Sequence, residues 1–336
     1  MNNITLKQAS SLIPHLFNAS IVPFLHSSPA IGKSSLAKSI AERNGLKVID
    51  LRLTELDSSD LNGLPYFKDG KSTFLPFDTF PLADTPIPEG YNGWLLLLDE
   101  LNSAAPSTQA AAYKLILDRM VGQHKLHDDV YIIACGNLDT DNAITYPLSS
   151  ALVSRFAHFY IEIDDKDWRD WASDAGLDIR VVSFIGFRPS LLYTFNPDST
   201  EPYSSPRTWE MVSRTISLMP ELNKTHTPLI ASMIGDGVAT EFMQYISLAD
   251  QLPKFEDIIA KPDSINVPTE LGMQWAVLGM MTRGVERDNI NEVTTFLKRL
   301  PREMQVVAIK EIMHRKPALS YALTRWVQEI ANEVHL

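Results

Sequence analysis

The stretch Gly93-Trp94-Leu95-Leu96-Leu97-Leu98 runs without a break into two carboxylates, Asp99 and Glu100. An apolar run this short and continuous is a strand buried on both faces, which a parallel sheet covered by helices provides. Paired acids at its tip call for a cation or a polar ligand, because a buried strand otherwise has no use for them. Taken alone, an ordinary strand end with a solvated acidic turn explains the run equally well. A second stretch, His26-Ser27-Ser28-Pro29-Ala30-Ile31-Gly32-Lys33-Ser34-Ser35, tips the balance. The apolar segment Ile21 to Leu25 leads into it and a helical pattern, Leu36 to Arg43, follows. Strand, tight loop and helix form the context in which Gly-Lys-Ser cradles phosphates. Backbone N–H groups from Ser28, Pro29's neighbours Ala30 and Ile31, and Gly32 to Ser35 would wrap them, and the helix N-terminus adds partial positive charge. Lys33 would reach the β- and γ-phosphates and the Ser34 hydroxyl would bind Mg²⁺. In that setting Asp99 would hold Mg²⁺ through water and Glu100 would polarise the attacking water. Ser27 departs from the pattern G-x-x-x-x-G-K-[ST], which has glycine at that position.

The rest of the first half follows the same alternation. A short helix is expected over residues 4–19 and apolar strands over 20–26, 46–51, 93–98, 131–135 and 157–163. Helices are expected over 36–43, 104–120 and 148–155. Asp69-Gly70 sets a hairpin at about 65–75, and a second hairpin spans roughly 121–130. Asn137 follows a buried strand end, where a turn residue is the plain reading. These elements predict an α/β domain with a five-stranded, mostly parallel sheet. Lys33, Asp99, Glu100 and Asn137 all fall at C-terminal strand tips, where such sheets bind ligands. From about residue 166 the pattern turns helical, including one helix over 227–247 and a helix opened by Ser205-Pro206-Arg207-Thr208.

Composition narrows the classes. Of 336 residues, 45% are hydrophobic and 21% charged, enough to bury a full core. The net charge of −11 argues against broad nucleic-acid binding, which rests on neutralising phosphates. The single cysteine, Cys135, allows no intrachain disulfide and suits a reducing cytosol. No signal peptide is read, no run reaches the length of a membrane span, and a cytoplasmic location is expected. His124 and His127 lack a third metal-ligand partner and fit a solvated hairpin.

The order of these motifs resembles the AAA+ ATPases: the phosphate loop, Leu-Leu-Leu-Asp99-Glu100, Asn137, Arg155 within Ala151-Leu152-Val153-Ser154-Arg155-Phe156, and Ser205-Pro206-Arg207. Asp99-Glu100-Leu101-Asn102 and the two hairpins resemble the MoxR-like group in particular, over about residues 20–250. The resemblance implies a P-loop NTPase αβα sandwich over 1–165, a helical lid over 166–250 and a C-terminal helical region over 251–336. It implies Mg²⁺-dependent ATP hydrolysis in a homo-oligomeric ring, a hexamer, that remodels or matures a partner protein bearing a von Willebrand factor type A domain. ATP would lie against Ser28, Pro29, Ala30, Ile31, Gly32, Lys33, Ser34 and Ser35, with Mg²⁺ on Ser34 and Asp99. Glu100 would be the catalytic acid–base, Asn137 the first sensor, Arg155 the arginine finger for the neighbouring subunit and Arg207 the second sensor. Ser27 and Ala30 stand where the family's loop commonly has glycine; a positive φ at Ala30 would be strained. A helicase loader or related nucleic-acid factor, and a non-hydrolysing nucleotide-dependent scaffold, are the competing expectations.

Overall fold

The computed structural model describes residues 3–141, 145–219, 221–248 and 252–334. They form two compact units, Met1–Ile163 and Asp164–Leu336. The domain boundary expected at 250/251 lies outside the described residues.

The first unit contains β1 (Asn3–Thr5), α1 (Leu6–Asn18), β2 (Val22–His26), α2 (Lys33–Arg43), β3 (Leu46–Arg52), α3 (Ser58–Asn62), β4 (Leu64–Lys68), β5 (Lys71–Leu75), β6 (Gly93–Asp99), α4 (Pro106–Leu117), β7 (Met120–Val121), β8 (His124–Lys125), β9 (Val130–Gly136), α5 (Ser150–Val153) and β10 (Phe156–Glu162). The main sheet has six strands, not the expected five, in the order β1-β10-β2-β9-β6-β3. Every pairing in it is parallel. The added strand is β1, part of what the sequence suggested was helix. It is three residues long and carries no apolar run. Its last residue, Thr5, then caps α1: the Thr5 hydroxyl accepts from the Gln8 N–H while the Gln8 side chain accepts from the Thr5 N–H. Ala9, Ile13 and Phe17 recur every four residues on the buried face of α1.

The middle of the sheet explains the leucine run. Leu95, Leu96, Leu97 and Leu98 are all fully buried, flanked by β3 on one side and β9 on the other. Removing each from water contributes roughly 1.5–3 kcal/mol. Pro23, inside β2, has no N–H to give; it pairs with Ala157 on the β10 side, and the ladder to β9 begins one residue later at Phe24. The two expected hairpins are present, β4–β5 and β7–β8. His124 Nε2 lies 3.1 Å from the Phe74 carbonyl, so this histidine ties one hairpin to the other.

The second unit consists of α6 (Asp165–Asp174), α7 (Ile179–Phe187), α8 (Pro206–Ile216), α9 (Thr227–Ile234), α10 (Asp236–Leu248), α11 (Phe255–Ala260), α12 (Leu271–Gly284), α13 (Ile290–Leu297), α14 (Arg302–Arg315) and α15 (Ser320–Val334). The single helix expected over 227–247 is two helices. Gly235 adopts φ 84° between α9 and α10, a conformation that ends the first helix. α11 carries no strong periodic signal and was not expected. Among the described residues no helix is long and apolar enough to cross a membrane.

Candidate functional site

The loop between β2 and α2 closes around the Lys33 side chain. Its ammonium donates to the Ser27 carbonyl (2.9 Å), the Ser27 hydroxyl (2.9 Å), the Ser28 carbonyl (3.3 Å) and Asn137 Oδ1 (3.3 Å). Lys33 is only 8% exposed. Ser27, the departure from the glycine pattern, is fully buried and has no positive φ. Its hydroxyl donates to the Ser28 carbonyl while receiving Lys33, so the side chain that replaces glycine is part of the lysine's cradle. Ala30 does adopt φ 61°, the left-handed region, as does Gly32 at φ 118°. For an L-residue with a Cβ this conformation costs on the order of 1–2 kcal/mol. Gly32 is the N-cap of α2 and offers no side chain to its first turn. The N–H groups that open α2 therefore face the loop, the arrangement that favours an anion. Ser28, Pro29 and Ala30 are half-buried, Ile31 is buried and Ser35 is exposed.

The acids meet this loop. The Ser34 hydroxyl donates to Asp99 Oδ2 at 2.6 Å, joining the start of α2 to the tip of β6. Glu100 turns the chain sharply with φ 58° and ψ 34°. Its N–H donates to Asp99 Oδ1 (3.0 Å) and its carbonyl accepts from the Ser103 N–H (2.9 Å). The Thr54 hydroxyl, just past β3, donates to Glu100 Oε2 at 2.6 Å. A strained backbone held by this many partners fixes the direction of one carboxylate.

Asn137 is held through its backbone by Asn102. The Asn102 amide donates to the Asn137 carbonyl (2.8 Å) and Asn102 Oδ1 accepts from the Asn137 N–H (3.0 Å). This reciprocal clamp is possible because residue 136 is glycine. A Cβ there would sit 2.4 Å from Asn102 Oδ1 and 2.7 Å from the Phe24 ring. The Asn137 side chain is thereby aimed at Lys33, so the turn-residue reading of Asn137 is incomplete. Asp141, beyond the same strand, accepts from the Ser28 hydroxyl at 3.0 Å.

Four expected residues are thus brought together with the loop: Lys33, Ser34, Asp99 and Asn137, with Glu100 adjacent to Asp99. Arg155 is not among them. It lies just past α5, which is shorter than expected, and its side chain is exposed. Arg207 lies in the first turn of α8 in the second unit and is likewise exposed. The turn that carries Arg207 is firmly built: Ser205 caps α8, accepting from the Thr208 N–H at 3.2 Å, and Trp209 is fully buried. Arg119 does local work instead. Its guanidinium donates to the carbonyls of His127, Asp128 and Val130 and so pins the β7–β8 hairpin. Among the described residues no group of three metal-ligating side chains of the His, Cys, Asp and Glu types exists. The buried Cys135 thiol has its pKa pushed up by burial and is inert.

Thr54 and Asn102 had no role in the sequence reading beyond Asn102's place in a signature. Thr54 is a polar residue two positions past a strand end, and that position was its one visible signal. Their partners lie 46 and 35 residues away, beyond the reach of local periodicity.

A parallel sheet with a Gly-Lys-Ser loop and an acidic strand tip at one end defines a P-loop NTPase of the AAA+ fold, followed by a helical unit. Residues 23–158, the segment that holds the loop, the acids, Asn137 and Arg155, match the family described as ATPase family associated with various cellular activities (AAA). No curated protein matches the sequence. Among solved structures the chain is similar to Thermotoga maritima RuvB, a Holliday junction branch migration motor, at 19% identity over 88% of this chain and 86% of that one, with a TM-score of 0.39. It is also similar to NtrX from Brucella abortus in complex with ATP, at 12% identity over 98% of this chain and 69% of that one, with a TM-score of 0.41.

Proposed function

We propose that this protein hydrolyses ATP with Mg²⁺ as a ring of identical subunits, in the manner of MoxR-like AAA+ ATPases, and uses the energy to remodel or mature a partner protein. The observation that carries the reading is the direct hydrogen bonding of Lys33, Ser34, Asp99 and Asn137 across three separate strand tips, with Glu100 held next to them by Thr54. Lys33's ammonium donates to neutral oxygens of Ser27, Ser28 and Asn137, which an anionic triphosphate can replace because it adds charge–charge attraction to the same bonds. The hydroxyl of Ser34 and the carboxylate of Asp99 are adjacent hard oxygen donors, the chemistry Mg²⁺ selects. Bound there, the ion would neutralise charge on the phosphate oxygens. Thr54 occupies one oxygen of Glu100 and leaves the carboxylate oriented to align a water and accept its proton. Asn137, fixed by Asn102, positions that water against the γ-phosphate. Arg155, exposed on its own subunit, would supply positive charge to the nucleotide of the next, and Arg207 would act as the second sensor. A von Willebrand factor type A protein is the partner type that the MoxR-like reading implies.

The direct test is phosphate release by the wild type and by Glu100→Gln, with nucleotide binding measured in parallel. Turnover in the wild type, lost by at least about 10²-fold in Glu100→Gln with binding retained, is expected. Firm ATP binding without wild-type turnover would leave the scaffold reading in its place.

A further inference from the structure

Two histidines lie directly beneath the site and have no part in the chemistry above. His26 is the last residue of β2, one position before the phosphate loop, and His158 is on the neighbouring β10. His26 Nε2 and His158 Nδ1 are 2.8 Å apart, and His158 Nε2 is 2.8 Å from the carbonyl of Val153. The tautomers follow from the acceptor at the end. A carbonyl only accepts, so His158 Nε2 carries a proton; in the neutral ring Nδ1 must then accept, and His26 Nε2 donates. The result is a directed relay from the phosphate-loop strand, through two rings, to the last residue of α5. Arg155 follows that carbonyl by two residues.

The rings are also held in place. His26 stacks on Tyr160 with centroids 4.7 Å apart and planes 11° from parallel, and on His158 at 5.1 Å. The charged groups that face His26 are Lys33 of the loop and Asp139 beyond β9, together with the His158 ring. Burial disfavours a positive charge on His26, and the His158 ring and Lys33 act in the same direction. α5 is a single turn of helix, Ser150–Val153, and Ser154 N–H already bonds back to Ser150. The histidine therefore caps a carbonyl at the C-terminal end of a turn too short to hold its own geometry.

We propose that His26 and His158 are positioning residues: they bridge the phosphate loop of one subunit to the turn that presents Arg155, so that the loop's geometry sets how this arginine is offered to the neighbouring subunit's nucleotide. The inference rests on the ring ATPase reading above and adds to it a mechanical link within each subunit between receiving ATP and acting on the next site.

The full-length protein tests it by steady-state ATP hydrolysis with His158→Phe, His158→Gln and His26→Phe, each alone and combined with Arg155→Ala. The Phe variants keep the ring volume and remove the relay. The Gln variant keeps one donor and one acceptor at the end of the side chain. Loss of the relay should lower kcat about tenfold, the worth of one well-placed hydrogen bond, with KM for ATP changed by less than about twofold. In the Arg155→Ala background the same changes should cost nothing further, and His158→Gln should restore most of kcat. An equal loss with and without Arg155, a change confined to KM, or unaltered kcat in His158→Phe would overturn the bridge while leaving the ATPase reading standing. A wild type without turnover would overturn both. Should His158→Phe fail to fold, His26→Phe and His158→Gln make the same comparison from either end of the relay.

Discussion

Both units bury charge, and they use it in opposite ways. In the second unit Asp178 and Arg180 face each other through two bonds, Nε to Oδ1 at 2.9 Å and Nη2 to Oδ2 at 2.7 Å. The same guanidinium donates to the carbonyls of Ile216 and Met219, while Asp178 caps α7 by accepting from the Arg180 N–H. Both side chains are buried. The pair closes on itself and joins the start of α7 to the end of α8. In the first unit Lys33 is as deeply buried, and it donates to loop oxygens of Ser27 and Ser28 and to Asn137 Oδ1. A two-bond ion pair fixes structure; an ammonium that donates to loop carbonyls, a hydroxyl and an amide oxygen can turn to a ligand. Substitutions that separate these two uses put the contrast at risk.

The largest effect should come from a residue that touches neither buried network. Arg155→Ala should lower kcat by about 10³–10⁵-fold, the range for an arginine supplied in trans, with little change in stability. Mixing Arg155→Ala with Glu100→Gln protein should recover part of the phosphate release, because some interfaces then combine an intact Glu100 with an intact Arg155. No recovery on mixing would argue that Arg155 acts within its own subunit or not at all.

Next in size is the structural pair. Burial alone would raise the Asp178 carboxyl, but the Arg180 guanidinium outweighs it and holds the pKa below the usual value. Asp178→Ala strands the arginine in the interior and should destabilise the protein by about 3–5 kcal/mol in chemical denaturation. Nucleotide affinity should stay unchanged. A matching loss of affinity would mean that the two uses of buried charge are not separate.

The histidine relay comes third. Burial, then the His158 ring and Lys33, lower His26 from 6.5 to about 4. Between those values the unfolded chain carries the proton and the folded chain does not. Stability from this group is therefore full above about pH 6.5, falls as pH drops toward about 4 and levels off below. The shift corresponds to at most roughly 3 kcal/mol, and to less because the ring is only partly buried. Denaturation curves across that range should be flatter for His26→Phe than for the wild type. Parallel curves would remove His26 from the acid response.

What could be read from the sequence follows the same division. Strands, loop and acidic tip were visible because each is a local pattern: the apolar run of β6, the Gly-Lys-Ser before α2, the asparagine after β9. Such segments must look this way wherever they are folded. β1 escaped because three partly exposed residues carry no period and Thr5 reads first as a cap. The break at Gly235 escaped because Ile230, Ile234 and Ala239 continue an apolar face across it. The second-layer partners, Thr54 for Glu100, Asn102 for Asn137 and His158 for His26, were illegible for another reason. Each contact joins residues that only the strand order brings side by side, and nothing in either local sequence names the other.

The smallest effect bears on the loop itself, where sequence and backbone disagree most. Ala30 holds φ 61° with a Cβ in place. Ala30→Gly would relieve about 1–2 kcal/mol of left-handed strain but return about 0.4–1 kcal/mol of unfolded-chain entropy. The net should be a stabilisation between about zero and about 1.6 kcal/mol, seen as a slightly higher Tm. If the strain is present equally with and without nucleotide, ADP affinity measured by titration calorimetry stays within about threefold. A tenfold gain in affinity would show instead that strain at Ala30 is greater with nucleotide bound, so that the wild-type loop gives up binding energy to keep its alanine. The loop would then belong with the loop oxygens around Lys33, as a site built to let go of its ligand as well as to hold it.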